Sequence, residues 1–344
     1  MKRNRVLRVC LSTVVILSVL MMSCRQGAPV EKSKPGAVSR EKQEYVWLSN
    51  YVSLPYFVHN DHKGLDAAAR ELGVTVRKSG PQNDDIPAAI AALEAEIAKK
   101  PKGIAVSGWD PSFQVAIDKA MAAGIPVVTV DMDIPDSKRL AYVGSDWYSI
   151  GRLLAKQLFD AANGKRGTMA MIGMKTAPYC LEEERGFRAA MNELNPAIKV
   201  LGTFDSEHNP QRVSQITTDL INKYKDLIGV VGFDSISPPG IATAIRETGK
   251  KGTMWGNGLG NEMENYQGVK DGYLCATLFP NAKIRTYYSI KILYDYNQKP
   301  VSYSSDDKKY GISDIPTFID CGVVVVDKNN VDVMIEAKLA DAKE

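Results

Sequence analysis

Two aspartates, Asp131 and Asp133, stand in "TVDMDIPDS", at and just past the end of the apolar run "IPVVTVD" (125–131). Ionised carboxylates at such a strand end accept hydrogen bonds from ligand hydroxyls, each worth about 1.5–3 kcal/mol. Trp109 and Asp110 follow a second run, "GIAVS" (103–107), and fall at the same edge. An indole there offers a platform for a ring. Asp110 also precedes Pro111, where an aspartate caps a helix that opens on proline. Catalytic groupings are missing. His59 and His62 have i,i+3 spacing, but the chain has three histidines and no evident third ligand, which favours a solvated helix start over a metal site. "GNGLGN" (256–261) lacks the spacing and the following helix of a phosphate cradle, and reads as a turn. No Ser–His–acid or Cys–His order stands out. The chain therefore reads as a binder, with no catalytic residue, metal or cofactor.

These residues need a scaffold that presents strand ends. Helical spacing of Leu65, Ala68, Ala69 and Leu72 predicts a helix closed by Gly73. Strand-like runs at 45–49, 74–78, 103–107 and 125–131 alternate with helical patterns around Ile90–Ile97 and Ile117–Met121. The alternation restarts after "AYVGSD" (141–146), with strands at 168–173, 198–204, 227–233 and 253–257 and helices at 182–194, 210–223 and 240–248. Short turns between alternating strands and helices imply parallel sheets covered on both faces. Two such units of similar size, with strand ends facing across a cleft, form a binding site between domains.

The amino end carries different information. Lys2, Arg3, Arg5 and Arg8 precede an apolar run, Val9 to Met22, too short for a roughly 20-residue membrane span. This is a secretory signal pattern, and Leu20–Cys24 resembles a lipobox with Ser23 before the cut and Cys24 as the lipidated thiol. An ordinary signal peptide is the alternative. Removal of residues 1–23 takes away four basic and no acidic residues, which leaves 39 basic against 40 acidic. The mature chain is near neutral and carries no nucleic-acid footprint. Residues 24–43 read as a flexible tether. Cys180, Cys275 and Cys321 remain as buried thiols with room for at most one pair.

Five stretches, "LPYFVHNDHKGLDAAARELGV", "GIPVVTVDMDIPDS", "YVGSDWYSIGRLLAKQL", "ERGFRAAM" and "NVDVMIEAKL", form one pattern across residues 45–335. By them the folded part resembles a type I periplasmic sugar-binding protein of the ribose- and autoinducer-2-binding kind. This resemblance implies two doubly wound parallel-sheet α/β domains joined by a three-crossing hinge. The expected lobes are 44–144 with 281–316, and 145–280 with 317–344. The crossings fall near Val143–Asp146, Leu278–Asn281 and Ile315–Cys321. Asp131 lies on the family's sugar-binding aspartate, and Tyr56 and Phe57 match two aromatics that pack on a sugar ring, one of them expected in the core. Tyr179, Asp234, Asn257 and Asn281 fall near family contact positions in the second half. Met132 and Leu54 stand where ribose binders carry Arg and Asn. The resemblance implies a monomeric, extracytoplasmic receptor, anchored to the membrane through Cys24, that captures a sugar and hands it to an ABC permease. A sensor-kinase output is the alternative. A nicotinamide enzyme is disfavoured by the missing dinucleotide fingerprint, and a LacI-type repressor by the missing DNA-binding headpiece. Asp131 is expected to bear on ligand affinity and barely on fold stability.

Overall fold

The computed structural model describes residues 43–298 and 307–341. The expected signal, Cys24 and nearly all of the tether lie outside the described residues. From β1 (Glu44–Leu48) the chain passes a π-helical turn (Phe57–Asp61) into α1 (His62–Leu72), β2 (Thr75–Ser79), α2 (Ile86–Ala98), β3 (Gly103–Ser107), α3 (Gln114–Ala122), β4 (Val127–Asp131) and β5 (Ala141–Gly144). It continues through α4 (Trp147–Ala162), β6 (Thr168–Gly173), α5 (Pro178–Leu194), β7 (Lys199–Asp205), α6 (Pro210–Lys223), β8 (Leu227–Gly232), α7 (Ser237–Glu247), β9 (Trp255–Gly258), α8 (Met263–Lys270) and β10 (Ala276–Pro280). It then forms α9 (Ala282–Asn297), β11 (Phe318–Asp320), β12 (Val323–Asp327) and α10 (Val331–Asp341).

Two sheets result. The first has the order β11-β5-β4-β3-β1-β2 and is parallel throughout. The second has the parallel order β7-β6-β8-β9, with the antiparallel pair β10-β12 tied to it by bridges Gly256–Leu274 and Leu259–Leu278. Strand β1 shows how sequence sets the layers. Tyr45 and Trp47 point to one face, where Leu65 and Ala68 of α1 and Ile290 and Leu293 of α9 cover them. Val46 and Leu48 point to the other, against Leu93 of α2 and Ile117 of α3. Side chains alternate along a strand, so a sheet covered on both sides needs apolar residues at every position. The second sheet repeats this, with α4 and α5 on one face and α6, α7 and α8 on the other. The fold is mixed α/β with parallel sheets, as expected.

Helix ends follow local chemistry. Gly73 closes α1 in the left-handed region at φ 66°, and Asp146 caps α4 by accepting from Ser149 N at 3.0 Å. Helix α5 begins at Pro178, four residues before the expected start at 182, because proline suits the first helical position. Strand β11 corrects the expected lobe boundary. Phe318–Asp320 pairs with β5 in the first sheet, so the chain leaves that sheet after Asp320 rather than before residue 317. The other connections between sheets run from Gly144 to Trp147 and from Pro280 to Ala282. Cys180, Cys275 and Cys321 are free. Among the described residues no helix is long and apolar enough to cross a membrane.

Candidate functional site

Asp131 is the last residue of β4 and has a left-handed backbone, φ 70°. Met132 N donates to Val130 O across it at 2.9 Å, which closes a γ-turn on this one residue. Positive-φ γ-turns are rare and strained, and such strain concentrates at functional sites. The turn is locked from the side by Tyr142, whose hydroxyl donates to Asp131 O at 2.7 Å. Met132 follows directly and belongs to the buried apolar cluster that includes Ile150, Leu154, Tyr179 and Leu278, so the end of β4 joins the core of the second sheet.

One oxygen of the Asp131 side chain is already engaged. Arg285, from the first turns of α9, donates through Nη1 to Asp131 Oδ1. The same guanidinium holds Asp61 from the other side, with Nε to Oδ1 at 3.1 Å and Nη2 to Oδ1 and Oδ2 at 2.9 and 3.1 Å. All three side chains are almost wholly buried, at 5% exposure or less. Burial raises both carboxyls above their ordinary range, and Arg285 pulls each partly back. Asp61, which also feels the charge of Asp131, is pushed up to about 7. The Tyr56 ring lies 5.8 Å from the guanidinium carbon. Asp131 belongs to a buried ion network, so its loss is expected to cost stability as well as affinity, unlike the expectation from sequence.

The other candidates divide. Of the aromatic pair, Phe57 is core, edge-on to Trp47 at 5.5 Å between ring centroids, while Tyr56 faces the charged cluster. Asp133 is engaged by Arg139, with Oδ1 and Oδ2 both at 2.5 Å, and accepts from Thr129 at 2.7 Å, so it buttresses the loop after β4. Asp110 caps the 3-10 turn Pro111–Phe113, accepting from Ser112 N at 2.8 Å. Hydrogen bonds from Ser112 hold its carboxyl below the usual range. Trp109 beside it is 38% exposed. Asp110→Ala should cost about 1 kcal/mol in a melt and shift ligand affinity by no more than about twofold. A larger affinity loss would return Asp110 to the site.

In the second half Asp234 follows β8 and accepts from Ser206 Oγ at 2.6 Å, Ser237 N at 2.9 Å and Ser237 Oγ at 2.6 Å. Asn257, in β9, donates to Leu154 O at 2.9 Å and leaves its buried oxygen unpartnered. Tyr179 lies in the first turn of α5, 5.3 Å from the Trp147 ring. Burial raises its hydroxyl pKa, and the charges of Glu183, Asp234 and Asp131 add to this. Tyr179 therefore stands within electrostatic reach of acids from both halves. Asn281 caps α9, accepting from Ile284 N at 3.3 Å, and so sets the helix that carries Arg285. Tyr56 thus lies against the Asp61–Arg285–Asp131 cluster and Tyr179 feels the charge of both Asp234 and Asp131, while Asp110, Asp133, Asp234, Phe57 and Asn281 each have structural partners. Among the described residues no group of histidine, cysteine or acidic side chains could hold a metal ion.

Sequence reading missed Asp61, Arg285 and Glu183. Glu183 is fully buried in α5 with neither carboxylate oxygen hydrogen-bonded, and burial next to Asp234 raises it well above the ordinary range. Beside the site, a pocket of about 240 Å³ is lined from both halves, by Asp133, Arg139, Tyr142 and Phe318 and by Trp147, Tyr148 and Glu182.

Comparison with known proteins agrees with this architecture. The periplasmic binding protein domain matches residues 45–300, and the chain belongs to that family. It is 23% identical to the ribose import binding protein of Bacillus subtilis over 269 residues, covering 78% of this chain and 86% of the relative. Among solved structures, a sugar-binding protein of a sugar ABC transporter from Bacillus halodurans is 26% identical at a TM-score of 0.76, covering 85% of this chain and all of the other. AraP, an arabinose-binding protein from Geobacillus stearothermophilus, is 27% identical at a TM-score of 0.75, covering 85% of this chain and 99% of the other.

Proposed function

We propose that the protein is an extracytoplasmic solute-binding protein that captures a small sugar between its two α/β lobes and delivers it to an ABC importer. The observation that carries this is the strained, clamped Asp131 at the strand end where the halves meet. A carboxylate held there suits ligand hydroxyls, with Tyr56 on one side and Tyr179 and Asp234 on the other. Binding needs no chemical step. It needs lobes that close by bending at the three connections.

The test is a thermal-shift screen of the mature protein against pentoses, hexoses and autoinducer-2. A ligand at 100 times its Kd stabilises by about 2.7 kcal/mol, which a melt resolves easily. One responsive sugar is expected, and silence across the panel sinks the sugar reading. Deleting the gene should abolish uptake of that sugar. Intact uptake with lost transcriptional response would favour the sensing output instead.

The anchor on Cys24 is the second part of the proposal, supported by the charged, apolar and small-residue order that ends on that cysteine. Acyl chains contribute about 0.8 kcal/mol per buried CH₂, so several on one thiol hold firmly. Labelled palmitate should enter the wild type, and Cys24→Ser should lose both the label and membrane association. Retention of unlabelled Cys24→Ser at the membrane would remove the lipid anchor from the model of action.

A further inference from the structure

We propose that Arg285, clamped by Asp61, is a specificity-determining partner of Asp131: it fixes one carboxylate oxygen and leaves the other to meet a ligand hydroxyl. This rests on the cleft being the ligand site. The geometry divides the labour among the three side chains. Asp61 takes the Nε and Nη2 side of the guanidinium through three hydrogen bonds. That fork leaves Nη1 pointing at Asp131, where it donates to Oδ1 alone. Among the described residues Oδ2 of Asp131 accepts no hydrogen bond, while Oδ1 is taken by Arg285. A carboxylate oxygen left unfilled accepts from one ligand hydroxyl.

Asp61 is itself fixed. Thr286 Oγ1, one residue past Arg285, donates to Asp61 O at 2.8 Å. Gly64 lets α1 approach α9 closely, since a Cβ there would meet Lys283 O at 2.2 Å and Thr286 Oγ1 at 2.2 Å. The clamp is thus built from the packing of two helices and is independent of the strained turn it serves. A rigid guanidinium holds a planar pair of bonds that a lysine cannot reproduce.

The arrangement also predicts a pH signature. The groups facing the cluster are Tyr56 before α1, Tyr142 on β5, Tyr179 on α5 and Cys321 after β11. Burial raises the hydroxyl and thiol pKa values of all four, Cys321 to about 11. They stay protonated at neutral pH, which leaves Asp61 and Asp131 as the titrating partners of Arg285. Without the guanidinium, the buried Asp131 carboxyl keeps its proton and turns from acceptor to donor.

The experiment measures calorimetric affinity for D-ribose, D-allose and L-arabinose between pH 5.5 and 9, in the wild type, Arg285→Met, Arg285→Lys, Asp131→Asn and the Asp131→Asn/Arg285→Met double variant. NMR of ¹³C-carboxyl aspartate follows Asp131 directly. Arg285→Met should weaken binding at least 30-fold at pH 6 and recover part of it by pH 9, with the Asp131 carboxyl titrating higher than in the wild type. On the Asp131→Asn background the same change should add less than about threefold. Should Arg285→Met not fold, Arg285→Lys carries the test, with a smaller shift in the same direction. A pH-independent loss, additive effects, or an unmoved Asp131 carboxyl overturns the proposal. If no probe binds the wild type while the carboxyl still moves, the sugar reading falls and the Arg285–Asp131 linkage stands.

Discussion

Asp131→Asn is expected to lower ligand affinity by roughly 30- to 1,000-fold, about 2–4 kcal/mol, while the protein stays folded. The substitution keeps side-chain shape and removes the charge, so ligand hydroxyls lose an ionised acceptor in a closed site. Asparagine tolerates the left-handed backbone found at this position, φ 70°. Alanine does not, and Asp131→Ala should lose about a further 1–2 kcal/mol of stability from strain alone. The fold survives either change because Arg285 keeps its bonds to Asp61. Removing Arg285 instead leaves two buried acids without a cation, which costs more. Calorimetry and melting on Asp131→Asn, Asp131→Ala and the wild type separate these effects. Affinity within threefold of wild type for Asp131→Asn would move the site away from this strand end.

Asp131 was singled out by a local cue, a run of buried residues that ends on an acid, together with the family resemblance. Asp110 and Asp133 carried the same cue, and the structure gives each a partner within six residues, Ser112 and Arg139. Aspartates bond readily to nearby backbone and side chains, and that competes with any ligand role. Arg285 was invisible for the opposite reason. It lies 154 residues from Asp131 and 224 from Asp61. Its helix gives no clear apolar stripe, because the buried face of α9 carries Arg285, Thr286 and Ser289 as well as Ile290 and Leu293. A polar residue on a buried helix face is a signal only once its partner across the fold is known. The parallel sheets were readable from strand runs buried on both faces, whereas the three-residue β11 was too short to register as a strand.

Glu183 should make the unliganded protein less stable as pH rises. Burial, with Asp234 nearby, lifts its carboxyl well above the ordinary value of 4.5. Between that value and its folded one, the native state keeps a proton that the unfolded chain releases. Stability then falls with pH, by up to about 1.4 kcal/mol per unit for one proton. Asp61 acts in the same direction from 3.8 to about 7. His62 opposes them, because burial lowers its folded pKa, so its contribution grows as pH rises through the ordinary value of 6.5. The decisive quantity is therefore the difference between variants rather than the slope of one protein. Urea unfolding of the wild type and Glu183→Gln from pH 5 to 8.5 should show the variant gaining on the wild type as pH rises. Glu183→Met, which replaces two unpartnered oxygens with an apolar chain of similar length, should be more stable by about 1–3 kcal/mol at pH 7. Parallel pH curves for wild type and Glu183→Gln would show that the carboxyl titrates normally and finds a partner in solution. A Met variant weaker than wild type would give Glu183 a structural bond that the protein needs.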